Sequence, residues 1–366
     1  MPERNLSITD RKSATPRRRI LFVAPPVGPI GSGAAGGVET HLLGLAPILV
    51  ARGYEVGVVA PAGSVIPGAG VMAFLVPGKP SASATTSRRR SPVEVRSDGV
   101  LENMWEQALR LQNRFDVVVG IDHDWLAFYL TPFFSKPVAH WITICSAIEE
   151  VDRMIKRRWR EQKVSLAFYT AAQAATYPFL PPEAIHLLYG GVDTGVFQYN
   201  AQPEDRLCWA GRISPEKGLE DAIAAAQALG MPLDVCGRLH DKFDWPAGTV
   251  YHGFLGPAAL QRRFAGARAT LVTPHWIEAF GNVAIESMAC GTPVVAYDRG
   301  GPAEIVEHGK SGILVPQGDV AGLVGGVRAA IALDRRVVQA RAAEFSFARM
   351  ADRFENWIGG RHAIIG

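Results

Sequence analysis

The run His275-Trp-Ile-Glu-Ala-Phe-Gly-Asn-Val-Ala-Ile-Glu-Ser-Met-Ala-Cys-Gly-Thr-Pro-Val-Val-Ala constrains the fold of this chain more than any other segment. An apolar strand, Ala269 to Pro274, stops; a loop carries Glu278; Gly281-Asn282 opens a short helix that closes at Gly291. A second apolar strand, Thr292 to Tyr297, follows at once. Such a strand–loop–helix–strand unit aims its helix N-terminus at the carboxyl edge of a parallel sheet, where anionic ligands dock. Glu278 then lies in the crevice and Glu286 on the helix, about one turn beyond Asn282. Carboxylates repel phosphate but accept from vicinal hydroxyls two at a time. A ligand with a sugar at each end and phosphate between them fits that layout, and nucleotide-sugars have that shape.

The rest of the chain repeats the alternation of strand and helix. Strand Ile20 to Ala24, a Gly-rich loop (Gly28 to Gly37), helix Val38 to Arg52 and strand Glu55 to Ala60 come first. Helix Leu101 to Arg114 and strand Asp116 to Ile121 resume the pattern. After Leu187-Leu-Tyr-Gly-Gly-Val-Asp193 it starts afresh with strand Leu207 to Ala210, a helix from Pro215, strands Pro232 to Cys236 and Thr249 to Tyr251, and helix Pro257 to Ala265. Strand Gly312 to Val315 follows the glutamate unit. Two βα series joined by a Gly-containing linker predict an α/β protein with two doubly wound, Rossmann-like domains facing across a cleft. The expected organisation is a disordered basic tail (1–18), a first domain (19–186), a second (187–345) and a closing helix (346–366). Phe347, Met350, Phe354 and Trp357 recur on that helix at helical spacing, as in a helix packed back onto the first domain. Within the first domain, 78–99 is rich in Ser, Arg and Pro and reads as a mobile surface loop.

At 366 residues, 48% hydrophobic and 20% charged, the chain has the make-up of a soluble globular protein. Its apolar runs are strand-sized and its N-terminus is polar, so a membrane span and an export signal are not expected, and a cytoplasmic location is. Cys145, Cys208, Cys236 and Cys290 are widely spaced, which excludes a Cys-x-x-Cys metal or redox motif. Net charge is +3 but uneven: residues 1–186 hold 21 Lys/Arg against 16 Asp/Glu, and residues 187–366 hold 17 against 19. The basic clusters Arg17-Arg-Arg19 and Arg88-Arg-Arg90 lack aromatic platforms, which argues against nucleic acid.

Gly31-Ser-Gly33-Ala-Ala-Gly36 spells a Gly-x-Gly-x-x-Gly string. A dinucleotide-binding site needs that string at the strand's end and an acid about 20 residues on. Here Pro25-Pro-Val-Gly-Pro-Ile30 intervenes and the second strand ends Val58-Val-Ala-Pro61, so the glycines suit an anion-binding loop instead. Ala210-Gly-Arg-Ile-Ser-Pro-Glu-Lys-Gly218 follows a strand, with Ser214 and Pro215 suited to a helix start and with Arg212 and Lys217 as flanking cations. That group suits stabilisation of a departing diphosphate without a metal. Gly300-Gly-Pro-Ala-Glu304 is a second glycine turn, expected to complete the phosphate pocket. Asp122-His123-Asp124-Trp125 follows a strand at the same sheet edge as the Gly-rich loop; Asp-x-Asp is a weak metal signal, and His123 is expected near the sugar or the reacting oxygen.

Together these segments resemble family 4 of the retaining glycosyltransferases, which adopt the two-domain GT-B fold. The resemblance implies that Glu278 binds the donor sugar, Glu286 the ribose, and Phe280, Gly281, Asn282 and Val283 offer backbone N–H groups. It further implies that Arg212 and Lys217 hold the diphosphate, that Gly36, Gly37 and Glu39 lie beside the transferred sugar, and that His123 approaches the anomeric carbon. Gly253 and Phe254 fall where the family receives the base. His123, Glu278, Arg212 and Lys217 are thus the catalytic set, with no metal and no cofactor beyond the UDP-sugar co-substrate.

Pro26-Val-Gly-Pro-Ile-Gly-Ser-Gly, Tyr129-Leu-Thr-Pro-Phe-Phe, Ala171-Ala-Gln-Ala-Ala-Thr-Tyr-Pro-Phe and Ser214-Pro-Glu-Lys-Gly-Leu-Glu-Asp-Ala-Ile look like the UDP-glucose:tetrahydrobiopterin glucosyltransferases of cyanobacteria. That narrower likeness implies transfer of glucose from UDP-glucose to a reduced pterin hydroxyl, with retention. Trp125, Tyr129 and Trp141 are the aromatic candidates for the acceptor. Two alternatives stand beside this reading. One is a transferase on a lipid-linked or cell-envelope glycan, docking on membrane through the basic helical stretch 151–163. The other is a nucleotide-sugar-binding protein without turnover.

Overall fold

Short valine- and leucine-rich runs such as Arg-Ile-Leu-Phe-Val, Val-Val-Val-Gly and Val-Val-Ala-Tyr are buried along almost their whole length. Strands apolar on both faces need covering on both faces, which is the condition of a parallel sheet under crossover helices. The computed structural model describes residues 18–33, 36–81, 98–121, 124–162, 164–239 and 242–359. Residues 1–17 of the expected tail, His123 with Asp122, and 82–97 of the expected mobile loop lie outside the described residues.

The first sheet joins β1 (Arg19–Val23), β2 (Glu55–Pro61), β3 (Val71–Val76), β4 (Val117–Gly120), β5 (Val138–Trp141), β6 (Ser165–Phe168) and β7 (His186–Leu187) in the order β3-β2-β1-β4-β5-β6-β7. Its helices are α1 (Gly37–Ala51), α2 (Val100–Leu111), α3 (Trp125–Leu130), α4 (Glu149–Gln162) and α5 (Ala171–Ala174). The second sheet joins β8 (Leu207–Ala210), β9 (Leu233–Cys236), β10 (Thr249–Tyr251), β11 (Ala269–Val272), β12 (Val294–Tyr297) and β13 (Gly312–Val315) in the order β10-β9-β8-β11-β12-β13. With it come α6 (Leu219–Leu229), α7 (Pro257–Gly266), α8 (Asn282–Ala289), α9 (Gly301–Ile305) and α10 (Val320–Ala330). Every described pairing is parallel. The fold is therefore two Rossmann-like domains.

Strand order decides where a ligand goes. In the first sheet the order reverses between β1 and β4, and in the second between β8 and β11. Crevices open beyond the carboxyl ends of strands at such switch points. The loop after β1 is the Gly-rich loop, the loop after β8 carries Arg212 and Lys217, and the loop after β11 carries Glu278.

The chain closes with α11 (Arg335–Ala343) and α12 (Phe347–Gly359). The apolar face of α12 lies on the first domain: Phe354 meets Phe22 at 5.5 Å, and the Trp357 indole donates to Ser165 Oγ at 2.8 Å. Arg52, at the C-terminal end of α1, pairs with Asp352 and Glu355 on α12.

One expected element is different. The helix read as starting at Pro215 is a single 3-10 turn over Pro215–Lys217, and the α-helix begins only at Leu219. Gly218 separates them with φ 63°, and a Cβ there would stand 2.0 Å from the Thr273 carbonyl oxygen. Serine and proline initiate either kind of turn; the close approach of the neighbouring loop is what stops the first one.

Candidate active site

A cleft of about 1990 Å³ runs between the domains and receives the loops after β1, β8 and β11. Single-ligand pockets occupy roughly 300–1,000 Å³, so this one has room for two substrates together. Its C-terminal wall includes Arg212, Lys217, Trp276, Glu278, Asn282 and Glu286.

Glu278 is the electrostatic centre of that wall. Its Oε2 accepts from Lys217 Nζ and, at 3.0 Å, from the Trp276 indole. Lys217 also sits 4.9 Å over the Trp276 ring. Burial alone would raise the Glu278 carboxyl, but the Lys217 charge and hydrogen bond outweigh it, helped by the indole and Arg212. The group is held below the ordinary carboxylate range and stays an ionised acceptor, with Oε1 taking no described hydrogen bond. Arg212 Nη2 is neutralised by Glu216 Oε1 at 2.5 Å. Both cations are thus positioned by carboxylates before any anion arrives.

Glu286 has no described ion pair or hydrogen bond. Burial pushes its carboxyl up to about 8, so it is largely protonated at neutral pH. The two glutamates that look alike in the sequence therefore have opposite charge states, set by the presence of Lys217 beside one and no cation beside the other.

The N-terminal wall brings in the glycine loop. Glu39 is buried and accepts the backbone N–H groups of Gly31 and, at 3.0 Å, Gly33. The expectation of Glu39 as a sugar contact is corrected to that extent: its carboxylate is occupied in shaping the loop. The N-termini of α1, at Gly37, and of α8, at Asn282, converge from opposite domains, giving free amides and positive dipole ends at one place.

Other expectations are corrected by position. Trp141 is fully buried against Tyr169 and His41, too deep to reach an acceptor. Tyr129, 44% exposed, does not line the cleft, whereas Trp125 does. Gly253 does not line it either, and its carbonyl takes the Gly237 N–H at 2.8 Å; Phe254 does line it. The Gly300-Gly301 turn supports the glutamate loop from behind rather than completing a phosphate pocket, with Gly301 N–H donating to the Glu278 carbonyl at 2.7 Å. Asp124, half of the Asp-x-Asp pair, caps α3 through Leu126 N–H. On α4, Arg153 and Arg157 pair with Glu149 and Glu161, and Arg158 turns inward to the Phe128 carbonyl. Three of the arginines of that stretch are thus held by partners within the chain.

Several functional contacts had no sequence signal because they join the two domains. Thr170 Oγ1 donates to the Ala279 carbonyl at 2.8 Å, and Cys145 Sγ to the Ile277 carbonyl at 3.3 Å. Glu304 accepts from Ala171 and Ala172 N–H across the interface. Arg238 stacks on Phe254 at 4.6 Å and donates to the Ser32 carbonyl at 3.0 Å. The loop bearing Glu278 is consequently docked on the opposite domain. Trp276 is different: it lies two residues before Glu278 in the sequence, but loop geometry alone sets its indole on the Glu278 carboxylate.

Among the described residues no group of three or more His, Cys, Asp or Glu side chains could hold a metal ion, and no helix is long and apolar enough to cross a membrane.

With that geometry, the architecture is the GT-B fold of glycosyltransferases, and residues 197–344 match the family model of the glycosyl transferases group 1. Among curated proteins, the chain is 31% identical over 258 residues to a D-inositol 3-phosphate glycosyltransferase of Catenulispora acidiphila, covering 60% of each. It is 30% identical to an alpha-maltose-1-phosphate synthase of Mycolicibacterium smegmatis over 38% of this chain and 44% of that one. The chain thus spans about half the length of these relatives. Among solved structures it superposes on HepE of Anabaena, determined with UDP and glucose, with TM-score 0.69 and 18% identity, covering 93% of this chain and 99% of that one.

Proposed function

We propose that the protein is a metal-independent, retaining glycosyltransferase that moves a hexose, glucose from UDP-glucose first, to a hydroxyl of a small acceptor. The observation that carries this reading is the cluster of Glu278, Lys217, Trp276 and Arg212 opposite the converging N-termini of α1 and α8. In it Glu278 accepts sugar hydroxyls through its free oxygen, and the amides with Arg212 and Lys217 take the diphosphate. As phosphate arrives, the cations exchange part of their pairing with Glu216 and Glu278 for the phosphate oxygens. Charge developing on the leaving group is met by fixed donors, which is electrostatic catalysis without a metal. Neutral, protonated Glu286 adds no repulsion to the incoming diphosphate and can donate and accept one ribose hydroxyl each. Glu278 and Glu286 are both assigned to donor hydroxyls and neither serves as nucleophile, so attack comes from the donor's front side with the departing phosphate taking the acceptor proton.

The acceptor proposed is a reduced pterin, on the strength of the N-terminal sequence likeness and of Trp125 in the cleft wall. The test is release of UDP or GDP from a panel of nucleotide-sugars, with and without reduced pterins and with inositol phosphate as the comparison acceptor. UDP-glucose consumed faster with a pterin supports the reading. A protein that binds UDP-glucose yet releases no UDP with any acceptor overturns the enzyme claim, and preference for inositol phosphate overturns the pterin.

A further inference from the structure

His41 is a histidine for which the reaction above has no use. It lies on α1, is 1% exposed, and its ring is packed by Trp141, Tyr169, Phe280 and Phe347 from both domains and the closing helix. Its Nδ1 stands 2.9 Å from the Tyr169 hydroxyl. Its Nε2 is buried with no hydrogen-bond partner among the described residues, and so is Oδ1 of Asn282, the first residue of α8 in the other domain. The two side chains are neighbours: burial lowers the His41 imidazole to about 3, and the Asn282 side chain is the group that opposes the lowering. Glycines on either side admit this approach. A Cβ on Gly37 would lie 1.9 Å from Asn282 Nδ2, and one on Gly190 would lie 2.4 Å from His41 Nε2.

Buried polar atoms without partners are rare, and two on neighbouring side chains suggest that each is the other's partner. A neutral imidazole carries one N–H. If the Tyr169 O–H donates to Nδ1, that N–H sits on Nε2 and points at Asn282 Oδ1, which satisfies both orphans at once. The carboxamide is then turned so that its NH2 group faces Gly37 and the cleft.

We propose that Tyr169, His41 and Asn282 form a relay across the domain interface that aims the Asn282 NH2 group at the diphosphate of the donor. His41 and Tyr169 are positioning residues; Asn282 is the contact. The proposal rests on the nucleotide-sugar reading. It also means that this diphosphate contact exists only while the two domains stand as they do here, since the relay starts in one and ends in the other.

The test is calorimetric binding of UDP and of uridine to the wild type, Asn282→Ala, His41→Phe, Tyr169→Phe and the His41→Phe/Asn282→Ala double variant. A lost hydrogen bond to a charged group weakens UDP about 10-fold or more, and uridine, which has no phosphate, is expected to be unaffected. The double variant is expected to bind UDP no more weakly than Asn282→Ala alone, because His41 acts only through Asn282. Tyr169→Phe frees the tautomer and gives a smaller loss in the same direction. Should His41→Phe fail to fold, Tyr169→Phe/Asn282→Ala supplies the same cycle. Additive losses, or equal losses of UDP and uridine, overturn the relay while leaving the proposed function standing. A wild type that binds no UDP overturns both.

Discussion

Glu286→Gln is expected to make the protein more stable and less able to bind its donor, with a stability gain that depends on pH. The Glu286 carboxyl is raised from 4.5 to about 8 by burial, with no cation to compensate. A group whose folded pKa is raised favours folding fully below its unfolded pKa and progressively opposes it as pH climbs towards the folded value. The window is therefore about pH 4.5 to 8. At pH 7 the unfolded chain gains about 3 kcal/mol by ionising this glutamate and the folded chain almost nothing. Glutamine never ionises, so it removes that disadvantage. Solvent at the mouth of an open cleft reduces the effect to on the order of 1–2 kcal/mol. A domain of this size gains roughly 2–4 °C in Tm per kcal/mol, so the variant should melt about 3–6 °C higher at pH 7. At pH 5 the difference should shrink to about a quarter, since so close to its ordinary value the unfolded glutamate gains little by ionising while the folded one stays protonated. The assay is thermal unfolding of both proteins from pH 5 to 8, with UDP binding followed alongside. A Tm difference that stays the same across this range, or a variant less stable at pH 8, refutes the reasoning. UDP affinity unchanged by the substitution removes Glu286 from the ribose site.

Lys217→Ala is expected to lower kcat about 100-fold or more at saturating donor, as loss of one preorganised transition-state donor does elsewhere; unchanged UDP release removes Lys217 from the leaving-group role. Trp276→Phe keeps an aromatic face for Lys217 but deletes the indole donor to Glu278, and should raise the donor KM about 10-fold. Equal donor KM values in Trp276→Phe and wild type would show that Lys217 alone orients Glu278. Trp357→Phe removes the hydrogen bond to Ser165 Oγ and costs about 1 kcal/mol, read as a lower Tm with donor KM unchanged. A changed donor KM there would mean that the packing of α12 on the first domain shapes the donor site.

Much of the architecture was legible because its signals are local. Valine-rich runs separated by helical periods read as parallel strands from composition alone, and Gly281-Asn282 marked the start of α8 to the residue. The glutamate spacing likewise survives in three dimensions, since a loop and one helical turn carry both carboxyls to one wall. Pro215 misled for a related reason: proline and serine open a 3-10 turn as readily as an α-helix, and the Thr273 carbonyl beside Gly218 belongs to another strand's loop. The aromatic acceptor candidates were hardest. Trp125, Tyr129 and Trp141 are alike in sequence, yet one lines the cleft, one faces outward and one is core.

What the amino-acid sequence determined by itself is the set of switch-point loops and the residue types on them: glycines, two cations, two glutamates and an asparagine at a helix start. Backbone preference and the alternation of strand and helix act over short stretches, so they can be read in a line. Only the tertiary structure decided the charge of each glutamate, the occupation of Glu39 by its own loop and the docking of the Glu278 loop on the opposite domain. These depend on which distant side chain fills the last few ångströms, and both burial and Coulomb attraction are set there.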